Sequence, residues 1–396
     1  MANKRFLLWC VVAACAVAAC LVAYYRATRP PLTRGPYVSK VTKDSAELFF
    51  EVQPASEVVI QWSAGGIKNE KVLPAGTSHE ETLSALAPGS RYHYEIQARN
   101  QGQGKIVRFG AGSFTTAPDQ PCHFKFALYG DTRRGHAIHK QIADAIAKEE
   151  VDFALHTGDF VADGRKQEKW APEFFVPAAE LLRTAAVFPV LGNHEHKSPL
   201  YYQYFGLPAD KAWYSFSWGQ VEVFVVDTES DYSRDGEQWK WLDAALAASK
   251  AAWKIAVQHV PGISSSGHGS NKQVNKNLRP LYEKYGVDIA FAGHNHLYER
   301  TKPIASKGAN HPVTYIITGG GGSLLYKASQ APYDAVIRSC HHYVIVEAEV
   351  GSLRVTARQV DGQILDSFVL KKNDPDYLGT RMEFEDLKLQ DVDHND

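Results

Sequence analysis

The spacing of apolar positions changes twice along the chain. Between residues 35 and 117 the apolar segments are short and alternating: Ala46-Glu47-Leu48-Phe49-Phe50-Glu51, Val58-Val59-Ile60-Gln61-Trp62 and Arg91-Tyr92-His93-Tyr94-Glu95-Ile96. Turn residues separate them (Pro54, Gly65-Gly66, Asn100, Gly102, Gly104), and no helical period intervenes, which predicts a small β-sandwich. After Ala117-Pro118-Asp119 the pattern becomes strand–helix alternation over 118–371. Apolar strands are predicted at 124–128, 152–155, 185–190, 253–258 and 287–291, and a hairpin joins 214–217 to 221–226 across Gly219. Helices are predicted from Ile138, Ile142 and Ile146 at four-residue spacing, over 239–248, and from Val274, Leu278 and Tyr282 on one face. The closing segments 314–317, 343–348, 353–358 and 364–370 read as a strand meander. Residues 372–396 are polar and acidic (Glu383, Glu385, Asp386, Asp391, Asp393), which predicts a solvated, disordered end. The fold class is therefore α/β (α+β), with a β-sandwich ahead of a larger mixed domain.

Residues 6–25 are apolar and uncharged, about the 20 residues a helix needs to cross a bilayer. Lys4 and Arg5 precede them, as in the charged start of a signal sequence. Two readings compete for residues 1–34, and Pro30, Pro31 and Pro36 mark a linker after the apolar run. One is an uncleaved membrane anchor followed by Arg26 and Arg29. The other is a lipoprotein, because Val17-Ala18-Ala19-Cys20 resembles a bacterial lipoprotein cleavage site, although Val12-Ala13-Ala14-Cys15 fits it too. The apolar run continues past Cys20, which favours the anchor. Either reading exports the body and tethers it to a membrane, on the periplasmic or extracellular face. The balance of 43 basic and 44 acidic residues argues against nucleic acid as an obligatory partner. Of the five cysteines, Cys10, Cys15 and Cys20 lie in the apolar segment; Cys122 and Cys340 remain, to pair or to stay free.

Chemistry gathers at strand ends. Five predicted strands end in Asp131, Asp159, Asn193, His259 and the pair His294/His296, and a glycine precedes Asp131, Asp159, Asn193 and His294. One Gly-Asp pair is ordinary turn chemistry, and a lone histidine is more often a surface or core residue than a ligand. Repetition at equivalent strand ends, where α/β sheets bind ligands, changes the reading. Carboxylate, amide and imidazole donors suit two adjacent first-row divalent ions. Such ions activate water and clamp a phosphoryl group, so a phosphate ester is the natural substrate.

Gly130-Asp131, Gly158-Asp159, Gly192-Asn193-His194-Glu195, His259 and Gly293-His294-Asn295-His296, in this order, resemble the calcineurin-like metallophosphoesterase superfamily. Residues 293–300 (GHNHLYER) are particularly similar to its purple acid phosphatase branch, which also carries a fibronectin type III-like amino-terminal domain. Residues 86–94 resemble the tyrosine-bearing corner of such domains, which makes Tyr92 and Tyr94 structural. The resemblance implies a four-layer αββα catalytic domain over 118–371 and a phosphomonoesterase using a metal-bridging hydroxide. The alternatives are a phosphodiesterase or nucleotidase on the same site, and a catalytically weak surface binding module. It implies that Asp131 and His296 bind a first metal, that Asp159 bridges, and that Asn193, His259 and His294 bind a second. His194 would contact the phosphate and act as general acid. His268 matches a second substrate-contacting position, or is simply an exposed loop residue. Glu195 would orient a neighbour rather than bind metal.

Two departures set this chain apart from that family. The tyrosine expected three residues after the bridging aspartate is Ala162, and the histidine that the wider superfamily places two residues after the first aspartate is Arg133. The first metal thus lacks one protein ligand, which His136 or water would supply; Arg133 and Arg134 would pair with phosphate. A colourless site with zinc, manganese or iron(II) is expected. His139 reads as a surface residue, the glycine run 319–322 as a loop beside the site, and His156 and Tyr298 as neighbours of the site or core. His341-His342 beside Cys340 has no partner motif.

Overall fold

The computed structural model describes residues 34–52, 57–99, 106–309, 311–372, 374–375, 379–389 and 391–392. Alternating segments of the first stretch become β1 (Tyr37–Ser39), β2 (Ser45–Glu51), β3 (Glu57–Ala64), β4 (Ile67–Pro74), β5 (Ser78–Ser84), β6 (Arg91–Arg99) and β7 (Ile106–Thr115). They form two antiparallel sheets, ordered β1-β2-β5 and β4-β3-β6-β7. Leu48, Phe50, Ile60, Leu83, Ile96 and Phe114 fill the space between them. Tyr92 is buried, and its hydroxyl accepts the Ala87 N–H at 2.8 Å. The expected tyrosine corner therefore closes the turn before β6.

The second stretch contributes β8 (Phe124–Tyr129), β9 (Phe153–His156), β10 (Ala186–Pro189), β11 (Tyr214–Trp218), β12 (Val221–Val226) and β13 (Trp253–Gln258). These are followed by β14 (Ser270–Asn271), β15 (Ile289–Ala292), β16 (Tyr298–Thr301), β17 (Ile304–Ala305), β18 (Thr314–Thr318) and β19 (Asp334–Arg338). The last long strands are β20 (His342–Ala348), β21 (Ser352–Gln359) and β22 (Ile364–Lys371). A six-stranded sheet runs β10-β9-β8-β20-β21-β22, and a seven-stranded sheet runs β11-β12-β13-β15-β18-β16-β19. Phe126, Leu128, Phe153, Leu155 and Phe188 of the first meet Val223, Val225, Val257 and Phe291 of the second in one core. Each sheet's other face is covered by helices. Ile142 and Ile146 of the helix His136–Lys148 pack on Ala127, Ala154 and Val187. Leu242, Leu246, Val274 and Tyr282 pack on Phe224, Ala256 and Ala290. The result is the helix–sheet–sheet–helix layering, because strands with apolar residues at every position must be covered on both faces.

Parallel pairing sets the site. β8, β9 and β10 run parallel, as do β12, β13, β15 and β18, so their carboxyl ends open onto a common edge.

Several expectations change. The closing segments are not one meander: β18, buried at all five residues, enters the seven-stranded sheet beside β15, while β20 pairs antiparallel with β8 in the other sheet. The helix expected through Val274, Leu278 and Tyr282 breaks into Lys272–Asn277 and Arg279–Tyr285, with Pro280 in the first turn of the second. His139 is fully buried rather than on the surface, with Nδ1 3.0 Å from the Glu173 carbonyl oxygen and its ring stacked on Phe174. The acidic end is not free of structure in its described residues. β23 (Met382–Glu383) pairs with β17, β24 (Asp391–Val392) pairs with β14, and Phe384, Leu387 and Leu389 pack on the Leu278 and Tyr282 cluster. The Arg279 guanidinium lies 3.6 Å over the Phe384 ring. Apolar residues spaced among the acids supply that docking, where net charge alone suggested solvation. Cys122 and Cys340 are both free thiols. Among the described residues no helix is long and apolar enough to cross a membrane; the apolar run 6–25 lies outside them.

Replacing Tyr92 by Phe leaves the ring packed and strands the Ala87 N–H. A loss of about 1 kcal/mol, typical of one intramolecular hydrogen bond, is expected as a lower melting temperature; an unchanged melt would show that water replaces the hydroxyl.

Candidate metal centre

Asp131, Asp159 and His294 have φ of 58°, 59° and 67°, the left-handed region that non-glycine residues seldom occupy. Strain of this kind persists where the surroundings over-determine it, and here three strand ends share it. The glycines before Asp131 and His294 serve close approach rather than a left-handed turn. Gly130 and Gly293 have no positive φ. A Cβ on Gly293 would lie 2.6 Å from Asp131 Oδ2, so its absence lets the β15 end approach the first aspartate. Gly158, at φ 101°, is the turn glycine of the set.

Both aspartates are fully buried. The Asp131 carboxylate accepts the His294 backbone N–H at 3.0 Å, and the Asp159 carboxylate accepts the His194 backbone N–H at 3.0 Å. Glu195 holds the turn, as expected: its Oε2 accepts the N–H groups of Asp159 and Gly192, each at 2.9 Å, and its Oε1 accepts that of Phe160 at 2.9 Å. Burial alone would raise the Asp159 pKa, but His259, His194 and Arg133 hold it well below the usual carboxylate range.

Around Asp159 the expected ligands fall into two groups. On one side Asp131, Asp159 and His296 place ligand atoms within 4.8 Å of one another. His296 Nδ1 is 2.7 Å from the Leu324 carbonyl oxygen, which turns Nε2 inward, 3.5 Å from Asp131 Oδ1. Arg133 lies in the same place, its Nε 2.9 Å from Asp159 Oδ2 and its Nη2 3.3 Å from His296 Nε2. On the other side His259, fully buried, has Nδ1 2.8 Å from the Thr157 carbonyl oxygen. Its Nε2 faces Asn193 Oδ1 at 3.0 Å, His294 Nδ1 at 3.3 Å and Asp159 Oδ1 at 3.5 Å. Burial works against charge on His259, yet Asp159, Asp131 and Glu229 raise its pKa to about 9. A site that pulls a proton so firmly onto a buried imidazole between oxygen acceptors is one that favours a cation. Carboxylate, amide oxygen and imidazole are the donors that divalent transition ions accept, so this side fits a metal.

His194 sits at the rim, half-buried, with Nδ1 2.9 Å from the Ala162 carbonyl oxygen and Nε2 3.9 Å from Asp159 Oδ2. His268 is exposed, but its ring lies 4.4 Å from that of His294 and its Nε2 3.0 Å from the Tyr326 hydroxyl. His136 is exposed at the start of its helix and is not among the three residues whose ligand atoms cluster on the Arg133 side. His156 is buried under Phe160, 3.1 Å from Thr132 Oγ1, and Tyr298 donates to Asp366 at 2.7 Å. The glycine run lies beside the site: the Gly321 N–H donates to the Gly130 carbonyl at 2.9 Å, and that of Ser323 to Asp131 at 2.8 Å. Tyr326, just past that run, stacks on His296 at 4.2 Å. It had no signal in the sequence beyond the glycines before it. Glu229, whose pKa burial raises to about 7, was likewise missed, because nothing in its local pattern separates it from a turn acid.

The family model of the calcineurin-like phosphoesterases matches residues 124–298, the stretch that carries all of these strand ends. This is a calcineurin-like metallophosphoesterase domain. Two relatives with which this chain shares sequence similarity are purple acid phosphatase homologues of Arabidopsis thaliana. Probable inactive purple acid phosphatase 1 is 24% identical over 416 residues, covering 82% of this chain and 66% of that protein. Purple acid phosphatase 21 is 28% identical over 286 residues, covering 65% of this chain and 62% of that protein. The chain thus spans less than two thirds of these relatives' length. The purple acid phosphatase PPD1 of yellow lupin seeds shares the fold, with a TM-score of 0.73 at 20% identity over 87% of this chain and 75% of that one.

Two outcomes follow from the phosphoesterase geometry. Glu195→Gln turns an amide donor toward backbone N–H groups that need an acceptor, so a loss of about 1–3 kcal/mol is expected in denaturant unfolding; a neutral substitution would sink that role. The folded-state pKa of His259 lies above its ordinary 6.5, so the stability its charge contributes is complete below that value and lost as pH rises through about 9. Chelator-treated protein should therefore melt progressively lower across this window, and His259→Gln should flatten the slope.

Proposed function

We propose that the domain is a metal-dependent hydrolase of phosphoric esters, with monoesters as first substrates and phosphodiesters or nucleotides as the runner-up. The observation that carries the reading is the convergence of Asp159, Asn193 and His259 ligand atoms within 3.0–3.5 Å at three strand ends, with Asp159 held in left-handed backbone. His294 would join Asp159, Asn193 and His259 as ligands of an ion, and Asp131 and His296 stand on the other side of Asp159. A bound ion supplies Lewis-acid polarisation of the phosphoryl oxygens and draws the nucleophile from water.

The chain's own residues do the rest. Asp159 keeps its charge at the centre and orients the partners on both sides. His194 commits its Nδ1 proton to the Ala162 carbonyl, so Nε2 is the atom that faces the site and passes a proton to the leaving group. His268 and Tyr326, joined at 3.0 Å, form one wall against which the ester would lie. Export and membrane tethering rest on residues 1–34 alone. A second reading, a catalytically weak binding module, draws on the Arg133 guanidinium beside Asp159 and on the relative named as probably inactive.

The deciding experiment assays p-nitrophenyl phosphate and bis-p-nitrophenyl phosphate after metal stripping and reloading with zinc, manganese or iron. Turnover restored by metal and absent from Asp159→Ala is expected; none with any metal in a folded chain would favour the binding module. Burial holds His194 below its ordinary 6.5. Proton donation from it therefore predicts that turnover falls as pH rises through that lower range. His194→Ala should cost about 10²–10³-fold in kcat and abolish that limb.

A further inference from the structure

We propose that the pocket formed by Asp131, Asp159 and His296 is filled by the guanidinium of Arg133, so that the centre takes one divalent ion, on the Asn193–His259 side of Asp159. The proposal rests on the metal-dependent reading above and narrows it.

His296 Nδ1 lies 2.7 Å from the Leu324 carbonyl oxygen, which can only accept, so Nδ1 carries the proton and Nε2 presents a lone pair. That lone pair meets Arg133 Nη2 at 3.3 Å, and a guanidinium can only donate. Asp159 Oδ2 meets Arg133 Nε at 2.9 Å. The one lone pair that an ion would take from His296 Nε2, and one of the two on Asp159 Oδ2, are therefore already in use, by a single planar fork. The spacing of Asp131, Asp159 and His296 would suit an ion; what excludes it is this occupancy.

Arg133 is also held in place. Its backbone N–H donates to the Asp159 carbonyl at 3.3 Å, its own carbonyl accepts from Ser323 Oγ at 3.1 Å, and its side chain is 14% exposed. Arginine keeps its proton at every accessible pH. An ion and this side chain would therefore stand as like charges within one pocket, and each excludes the other.

The opposite side of Asp159 is arranged the other way. His259 Nδ1 donates to the Thr157 carbonyl, so the ring's lone pair on Nε2 would face Asn193 Oδ1 at 3.0 Å, His294 Nδ1 at 3.3 Å and Asp159 Oδ1 at 3.5 Å, three atoms that can each ligate a cation. That arrangement calls for a cation between them, a proton or a metal. A phosphate entering the centre would meet one ion on this side and the fixed positive charge of a guanidinium on the other.

The test is metal stoichiometry. The full chain is stripped with chelator, reloaded with excess zinc, desalted and measured by mass spectrometry of the metal; a manganese-loaded sample is read by electron paramagnetic resonance. One ion per chain and the signal of an isolated manganese ion are expected in the wild type. His296→Ala should still hold one ion and His259→Ala should lose it. Arg133→His, which removes the guanidinium and supplies an imidazole, should take two ions and give the signal of a spin-coupled pair. Two ions in the wild type would overturn the proposal and leave the metal-dependent reading intact. One ion lost in His296→Ala but kept in His259→Ala would place it in the wrong pocket and overturn it as well. No ion retained by a natively folded wild type would overturn both readings. If Arg133→His fails to fold, the His296 and His259 pair of variants decides alone.

Discussion

Asp159 is a fully buried carboxylate that keeps its charge, and it does so because donors reach it from several parts of the chain. The His194 backbone N–H comes from the end of β10 and the Arg133 guanidinium from the turn after β8, and the His259 ring, at the end of β13, stands 3.5 Å away. Burying such a charge without partners is among the costliest steps in folding. The turns after β8, β9, β10 and β13 must therefore stay in register with one another, and Glu195 collects four backbone N–H groups to hold two of those turns together.

The same requirement explains why strain collects here. Asp131, Asp159 and His294 each hold a left-handed backbone that aims a side chain or N–H into a shared space. Glycines at 130 and 293 let those turns come close, with 321 donating across to the first of them. The two sheets supply rigidity from behind, through the shared core of Phe126, Phe153, Val223 and Val257. Chemistry thus stands on strand ends whose positions are set by a large apolar interface, which is how a centre keeps its geometry when charge moves within it.

Arg133 gives the centre an asymmetry that its ligand types do not announce. Asp131, Asp159 and His296 are suitable donors, yet the lone pairs of Asp159 Oδ2 and His296 Nε2 are directed at guanidinium N–H groups, whereas the other side of Asp159 gathers acceptors. Residue type sets which chemistry is available; the partner already bound to each lone pair sets which of it is used.

Strand ends, apolar runs and the order of Gly-Asp, Gly-Asn-His-Glu and Gly-His-Asn-His were legible in the amino-acid sequence, because period and turn chemistry are local properties. Those local patterns determined the sandwich, the alternating domain and the residues Asp131, Asp159, Asn193, His259, His294 and His296. What depended on distant partners was not legible. His139 reads as exposed from its helix neighbours and is buried because Phe174 and the Glu173 carbonyl cover it. The acidic end reads as solvated and docks because Phe384 meets Arg279 and the Tyr282 cluster. Sheet membership of β18 and β20, the placing of Tyr326 on His296, and the direction of Arg133 into the first pocket belong to the tertiary structure alone. Each of these is a contact between residues far apart in the chain, and no local period records it.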